Sequence, residues 1–154
     1  MRSLIVIVGL AVAALTQTMA SAHAEILFGP ATVIDGATLE IDGQTVRLLD
    51  IEAPALTQLC KDGTGADYAC GQRSSQSLAE LLKQRKVTCD WSNLDAQGRR
   101  LARCGVAGQD AGLWLVGQGW AVPDRNCKCE TYRAAAEHAK AQKLGLWAGA
   151  FALP

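Results

Sequence analysis

Six cysteines, Cys60, Cys70, Cys89, Cys104, Cys127 and Cys129, are the first residues of this 154-residue chain whose type and spacing could do chemistry. Thiols in such numbers either hold a metal ion or form disulfides. A zinc site is poorly served. Cys127-Lys128-Cys129 is too tight for the usual ligand spacing, and His138 is the only histidine beyond the first two dozen residues. An even number of cysteines behind an export signal fits disulfides in an oxidising compartment.

The export signal is read from the start of the chain. Arg2 supplies a positive charge, Leu4 to Leu15 is almost wholly apolar, and small residues lead to Ala22-His23-Ala24. That order is the order of a secretory leader. The apolar run is shorter than the roughly 20 residues of a spanning helix, and Gln17 and Thr18 follow it closely. Cleavage is expected after Ala24, with Ala22 as the alternative site. Residues 25–154 are then one domain with no membrane span, exported to the periplasm or beyond.

The second group with chemical potential is cationic. Lys83, Arg85, Lys86, Arg99, Arg100 and Arg103 crowd a short stretch in which the only acids are Asp90 and Asp95. This is either a local basic face or a solvated hairpin surface. Beyond residue 24 the chain has 14 Lys and Arg against 15 Asp and Glu, a formal charge of −1. Proteins that hold nucleic acid mainly through phosphates are usually clearly basic, and this one is not.

The elements that must carry these residues can be read from pattern. Ala31–Ile34, Ala37–Ile41 and Thr45–Ile51 are β-prone runs separated by Asp35-Gly36 and Asp42-Gly43. Asp-Gly between apolar runs is a hairpin signal, so a three-stranded meander is expected. Pro54 ends it, having no N–H for a ladder. A glycine-containing loop over 55–71 precedes a helix from about Gln72 to Arg85, with Leu78, Leu81 and Leu82 on one face. Val87–Trp91 and Leu101–Val106 read as two strands joined by a turn containing Asn93, Asp95 and Gly98. Asp110 is placed to cap a short helix carrying Leu113, Trp114 and Val116. A last, alanine-rich helix over about Thr131 to Lys143 stops near Gly145, and Leu146 and Trp147 follow as an apolar plug. Five strands with a helix after the third give the connectivity of a mainly β, five-stranded OB barrel capped by about three helices.

These placements suggest cysteine partners. Cys89 and Cys104 fall on facing strands of one hairpin, where antiparallel neighbours come close enough to bridge. Cys60 and Cys70 flank the glycine-containing loop and would close it. Cys127 and Cys129 remain, as a labile pair or as a link to another chain.

Five segments, in order, resemble the thermonuclease (staphylococcal nuclease-like) family. They are Val33-Ile34-Asp35-Gly36-Ala37-Thr38, Arg47-Leu48-Leu49-Asp50-Ile51-Glu52-Ala53-Pro54-Ala55, Asp95-Ala96-Gln97-Gly98-Arg99-Arg100-Leu101-Ala102, Leu115-Val116-Gly117-Gln118-Gly119-Trp120-Ala121 and Gly145-Leu146-Trp147. The resemblance implies an OB barrel and calcium-dependent hydrolysis of nucleic-acid phosphodiesters. In that chemistry acidic oxygens and a carbonyl hold Ca²⁺. The ion and two arginines neutralise charge building on phosphorus, and a glutamate serves as the base for the attacking water.

Carried over by position, Arg47 and Arg99 match the two phosphate-contacting arginines, and Asp35 and Thr38 match the acid and threonine of the first segment. The family's second acid there, a direct calcium ligand, is Ala37. The other ligand acid, normally aspartate, is Glu52. Ala53 replaces a threonine that offers only its carbonyl, and the base glutamate is Ala55. Ala96 and Gln97 stand where the family has further aromatic and lysine contacts.

A methyl group can neither ligate a cation nor take a proton. Loss of the base alone costs about 10²–10⁴ in rate, so the resemblance implies impaired or absent nuclease activity. The expected role is then a cell-envelope module that binds nucleic acid, another phosphate or anionic ligand, or a protein partner. Two alternatives stand beside it. Asp50 and Glu52, two residues apart on an extended strand, share a face, so Asp35, Asp50 and Glu52 could rebuild a metal site for an active Ca²⁺-dependent phosphodiesterase. Alternatively the barrel is a structural envelope module in which Arg47 merely pairs with Glu52 or Asp35.

Overall fold

A computed structural model describes residues 25–153, so the leader expected over residues 1–24 lies outside the described residues. Five strands build the barrel. β1 (Glu25–Asp35), β2 (Thr38–Ile41) and β3 (Gln44–Leu48) form the meander. The short β4 (Ile51–Glu52), β5 (Cys60–Lys61) and β6 (Asp67–Tyr68) lead into helix α1 (Cys70–Leu82). β7 (Lys86–Leu94) and β8 (Arg100–Val106) follow as a hairpin, extended by β9 (Gln109–Asp110). Helix α2 (Ala111–Gly117), β10 (Val122–Pro123), helix α3 (Glu130–Ala141) and a 3-10 turn at Gly145–Ala148 complete the chain.

The strand order is β3-β2-β1-β7-β8-β9, and a parallel pairing of β3 with β8 closes the sheet on itself. This is the five-stranded, OB-like mixed barrel with three helices. Its core is formed by Leu39, Ile41, Val46, Leu48, Val87 and Val106, which alternate with exposed positions as strand pleating requires. Leu78, Leu81 and Leu82 bring α1 onto that core, and Leu115 and Val116 bring α2.

Several boundaries differ from those read in the sequence, each for a local reason. β1 begins at Glu25, not Ala31. Residues 25–30 pair with β7 and residues 31–35 with β2, and Gly29-Pro30 marks the change of partner. A proline at that switch forfeits a ladder bond where pairing is handed over, so it does not stop the strand. The third strand ends at Leu48 and does not run on to Ile51, because Asp50 takes a left-handed φ of 65°. Helix α1 ends at Leu82, because Lys83 (φ 38°) and Gln84 (φ 61°) leave the helical region. Neither is a glycine, so the sequence carries no stop signal there.

The cap on α2 is Asp110, whose Oδ1 accepts the Leu113 N–H at 2.8 Å. Cys89 and Cys104 sit opposite one another on β7 and β8 with Cα atoms 4.0 Å apart, and their sulfurs are bonded. The sulfurs of Cys60 and Cys70 are joined across the loop between β5 and α1, and those of Cys127 and Cys129 just before α3. Leu146 is fully buried against the Cys60–Cys70 pair, with Trp147 and Phe151 edge to face beside it. Among the described residues no helix is long and apolar enough to cross a membrane.

Candidate anion-binding cleft

The barrel's closing seam builds the site. In the parallel β3–β8 pairing Arg47 stands opposite Leu101, and in the β2–β3 ladder it stands opposite Thr38. Arg99 immediately precedes β8. The seam therefore brings together two arginines that are 52 positions apart in the chain. Asp35, Arg47, Glu52, Ala53, Pro54, Ala55, Asp95 and Arg99 line one cleft of about 540 Å³.

Each arginine is oriented by a carboxylate. Arg47 Nη2 donates to Glu52 Oε2 at 2.7 Å. Arg99 Nε donates to Asp95 Oδ2 at 2.6 Å. Asp95 is itself fixed by the turn between β7 and β8, where its Oδ1 accepts the N–H groups of Gln97 and Arg99, both at 2.9 Å. Gly98 adopts φ 76° in that turn, a conformation natural to glycine. Burial pushes the Asp95 carboxyl up, but these N–H donors and the Arg99 guanidinium outweigh it and hold the pKa below the ordinary carboxylate value. Holding Arg99 by Nε leaves both terminal nitrogens for a ligand. Arg47 similarly keeps Nε and Nη1 free of the Glu52 contact. Such forked donors suit phosphate or carboxylate.

The loops beside the cleft are held close against α1. A Cβ on Gly36 would lie 2.0 Å from Ser74 Oγ of α1 and 3.1 Å from the Ala53 Cβ. Only glycine lets the β1–β2 turn settle there. Ser74 Oγ in turn donates to the Trp120 carbonyl at 2.8 Å, tying α1 to the segment after α2. Gly71 makes a second close approach: a Cβ there would meet the Ala55 carbonyl oxygen at 1.8 Å. The two glycines seat α1 under both loops that carry the site.

Ala37 is fully buried, and its N–H donates to Asp35 Oδ1 at 2.8 Å. Glu52 is engaged by Arg47. Asp50 does not join Asp35 and Glu52, so the three-acid grouping expected from strand alternation is not formed. The left-handed turn at Asp50 breaks the alternation, and its carboxylate ion-pairs with Arg103 on another cleft, lined also by Lys128 and Cys129. Among the described residues no three His, Cys, Asp or Glu side chains gather as a metal site. A hard cation that takes six to eight oxygens finds a poor donor set here. Ala55 lies on the cleft wall with no proton-accepting group.

The remaining bases of the cationic stretch do not form one face. Arg100 lies over the Trp91 ring at 4.8 Å, Lys86 over Phe28 at 5.3 Å and Arg103 over Tyr132 at 5.6 Å. Lys86 and Arg103 line a different cleft from Arg99. Asp95 is a site residue that the family resemblance does not single out. Its signal was there in an acid four positions before the arginine, across a glycine turn.

A closed five-stranded mixed barrel carrying three helices is an OB-like fold. The family model of staphylococcal nuclease homologues matches residues 45–149, and the chain belongs to that family. It is 38% identical over 142 residues to "Succinoglycan biosynthesis protein ExoI" of Rhizobium meliloti (strain 1021), covering 91% of this chain and 74% of that protein. It is 33% identical over 104 residues to "Uncharacterized endonuclease" of Haemophilus influenzae (strain ATCC 51907 / DSM 11121 / KW20 / Rd), covering 67% of this chain and 53% of that protein.

Proposed function

We propose that this domain is an exported, nuclease-like binding module that holds a phosphate-bearing ligand between Arg47 and Arg99 without cleaving it. The observation that carries the reading is a pair of methyl groups, one on the cleft wall and one buried behind it. Ala37 is sealed into the barrel, and Ala55 lines the wall. Hydrolysis would need an acid at one and a base at the other. Two oriented guanidiniums can still bind a phosphoryl group, because recognition needs donors and not a nucleophile. The cleft also contains Asp35, Glu52 and Asp95. Its three carboxylates outnumber its two cations, so a long polyanion held by charge alone is disfavoured, and a small or terminal phosphate taken by the free guanidinium nitrogens is favoured.

Cleavage of DNA and RNA by the purified protein, with Ca²⁺ and with a chelator, is the decisive test. No chelator-sensitive cleavage is expected. Binding of a nucleotide diphosphate, measured by calorimetry, is expected to weaken about tenfold, or 1.4 kcal/mol, in Arg47→Ala and in Arg99→Ala. Calcium-dependent turnover abolished by Arg99→Ala would overturn the reading.

The second reading is an active calcium-dependent endonuclease; its support is that the Haemophilus influenzae relative is named an endonuclease. It requires Glu52 to leave Arg47 and ligate the ion with Asp35. The same cleavage assay decides it. The relative named for succinoglycan biosynthesis favours an envelope role, and that supports the exported setting of the first reading.

A further inference from the structure

We propose that Cys127 and Cys129 form a thiol–disulfide exchange site, reducible by a dithiol, while the other two cysteine pairs are structural. The three pairs differ in access. Cys60, Cys70, Cys89 and Cys104 are each at most 3% exposed. Cys127 is equally buried, but Cys129 is only partly covered and lines an open cleft with Asp50, Arg103, Lys128, Glu130 and Thr131. An incoming thiolate can therefore reach one sulfur of this pair, and attack requires such access.

The location also stabilises the reduced form. Cys129 is the N-cap residue of the 12-residue helix α3, and among the described residues no side chain caps that end. A thiolate at this position accepts the free N–H groups of the first turn and faces the positive end of the helix dipole, both of which lower a thiol pKa. Lys128 lies between the two cysteines, and the Arg133 side chain donates to the Cys127 carbonyl. Glu130 opposes this field, and Asp50 is already paired with Arg103. The helix does not depend on the bond for its seat, because Tyr132, Ala136 and Ala139 are buried along its inner face. Opening the pair thus leaves α3 docked.

The exchange balances as follows. A thiolate of the dithiol attacks Cys129 Sγ, a mixed disulfide forms, and the Cys127 sulfur leaves as a thiolate and takes a proton. The second thiol of the reductant then gives up its proton and attacks its own sulfur in the mixed disulfide, releasing Cys129 as a thiolate. Cys129 takes up the proton that the second thiol gave up, the reductant departs as a disulfide, and two electrons and two protons end on the cysteine pair. The natural reductant is thus a dithiol, small or protein-borne, and dithiothreitol is its simplest probe.

The test is differential labelling of the folded protein. It is equilibrated with graded ratios of reduced to oxidised dithiothreitol, alkylated, and mapped by tryptic peptide mass. Cleavage after Lys128 places Cys127 and Cys129 on separate peptides that stay linked only while the bond is intact. Label on both is expected at a ratio at least about tenfold less reducing than the ratio that opens either other pair. Reduction of all three pairs together, or of Cys60–Cys70 first, would overturn the proposal. A second measurement fixes the attacked sulfur. Cys127→Ser, with Cys129 free, is expected to form a mixed disulfide with oxidised glutathione at least about tenfold faster than Cys129→Ser. Equal rates, or the reverse order, would remove Cys129 from that role.

Discussion

The two guanidiniums of the cleft are held in different ways, and their variants should behave differently. Arg47 is tied to Glu52 across the short gap between β3 and β4, whereas Arg99 is tied to an aspartate that also organises its own turn. Asp95→Asn keeps an acceptor for the turn but removes the charge that faces Arg99. Because the folded-state pKa of Asp95 is depressed, its contribution to stability is present above the ordinary carboxylate pKa of about 3.9 and is lost as pH falls through the lower folded value. Denaturation midpoints of wild type and Asp95→Asn should therefore differ at pH 7 and converge below about pH 4. A gap that persists at low pH would place the effect in the turn and not in the charge. Thr38 offers a contrasting case, since its hydroxyl is buried without a hydrogen-bond partner among the described residues. Thr38→Val should be neutral or stabilising by about 1 kcal/mol in urea unfolding. At this scale the sequence was partly readable. The arginines stood out through the resemblance, and the missing acids stood out as alanines. The pairing of Arg47 with Glu52 or Asp35 was one expectation, and Glu52 is the partner. Asp95 holds Arg99 across its own turn, and only the meeting of the two arginines at one cleft depended on the closure of the barrel, which no local pattern encodes.

Elements were legible wherever backbone chemistry marked their ends. Asp42-Gly43 announced a hairpin, and both residues do take left-handed φ values, 48° and 71°. Asp110 announced a helix start. Where a bend was made by ordinary residues, as at Asp50, Lys83 and Gln84, the pattern was silent, because tertiary packing selected a conformation those residues do not prefer. The same packing makes testable demands. Asp110 caps α2 and accepts the buried Tyr132 hydroxyl with both oxygens at 2.8 Å. Asp110→Ala removes a cap and orphans a phenol, so a loss of about 2–4 kcal/mol in unfolding free energy is expected. Burial first, and Asp110 second, push the Tyr132 ionisation up, and burial likewise raises Tyr68. These are the chain's two tyrosines. A spectrophotometric titration should show no half-formed tyrosinate at about pH 10, the ordinary phenol value. Since the folded pKa values are raised, the stability they contribute is intact below that pH and is lost as pH climbs through the folded values. Tyrosinate appearing at its ordinary pH in folded protein would contradict the burial of Tyr132 on α3 or of Tyr68 on β6, and Tyr68→Phe would assign it.

For the whole molecule, cohesion depends on cross-links as well as on the barrel core. Cys89–Cys104 spans 15 positions and ties the two strands of the β7–β8 hairpin. The double variant Cys89→Ala/Cys104→Ala should lose about 3 kcal/mol, with chain entropy of the unfolded state as the main cause. Chemical denaturation of the two proteins under non-reducing conditions measures it, and a loss well under 1 kcal/mol would show that the barrel does not need the link. The buried contact of Leu146 with Cys60–Cys70 extends the same logic to the segment after α3, where an apolar side chain covers that cross-link.

The barrel has one place where its sheet is joined by parallel strands, and both guanidiniums flank it. Opening the cylinder there would carry Arg47 and Arg99 apart. Any molecule that grips both at once acts as a clasp on the cylinder, and its occupancy is written into the melting temperature. At a concentration 100 times its dissociation constant such a clasp adds about 2.7 kcal/mol. A library of phosphorylated metabolites could therefore be ranked by heat alone.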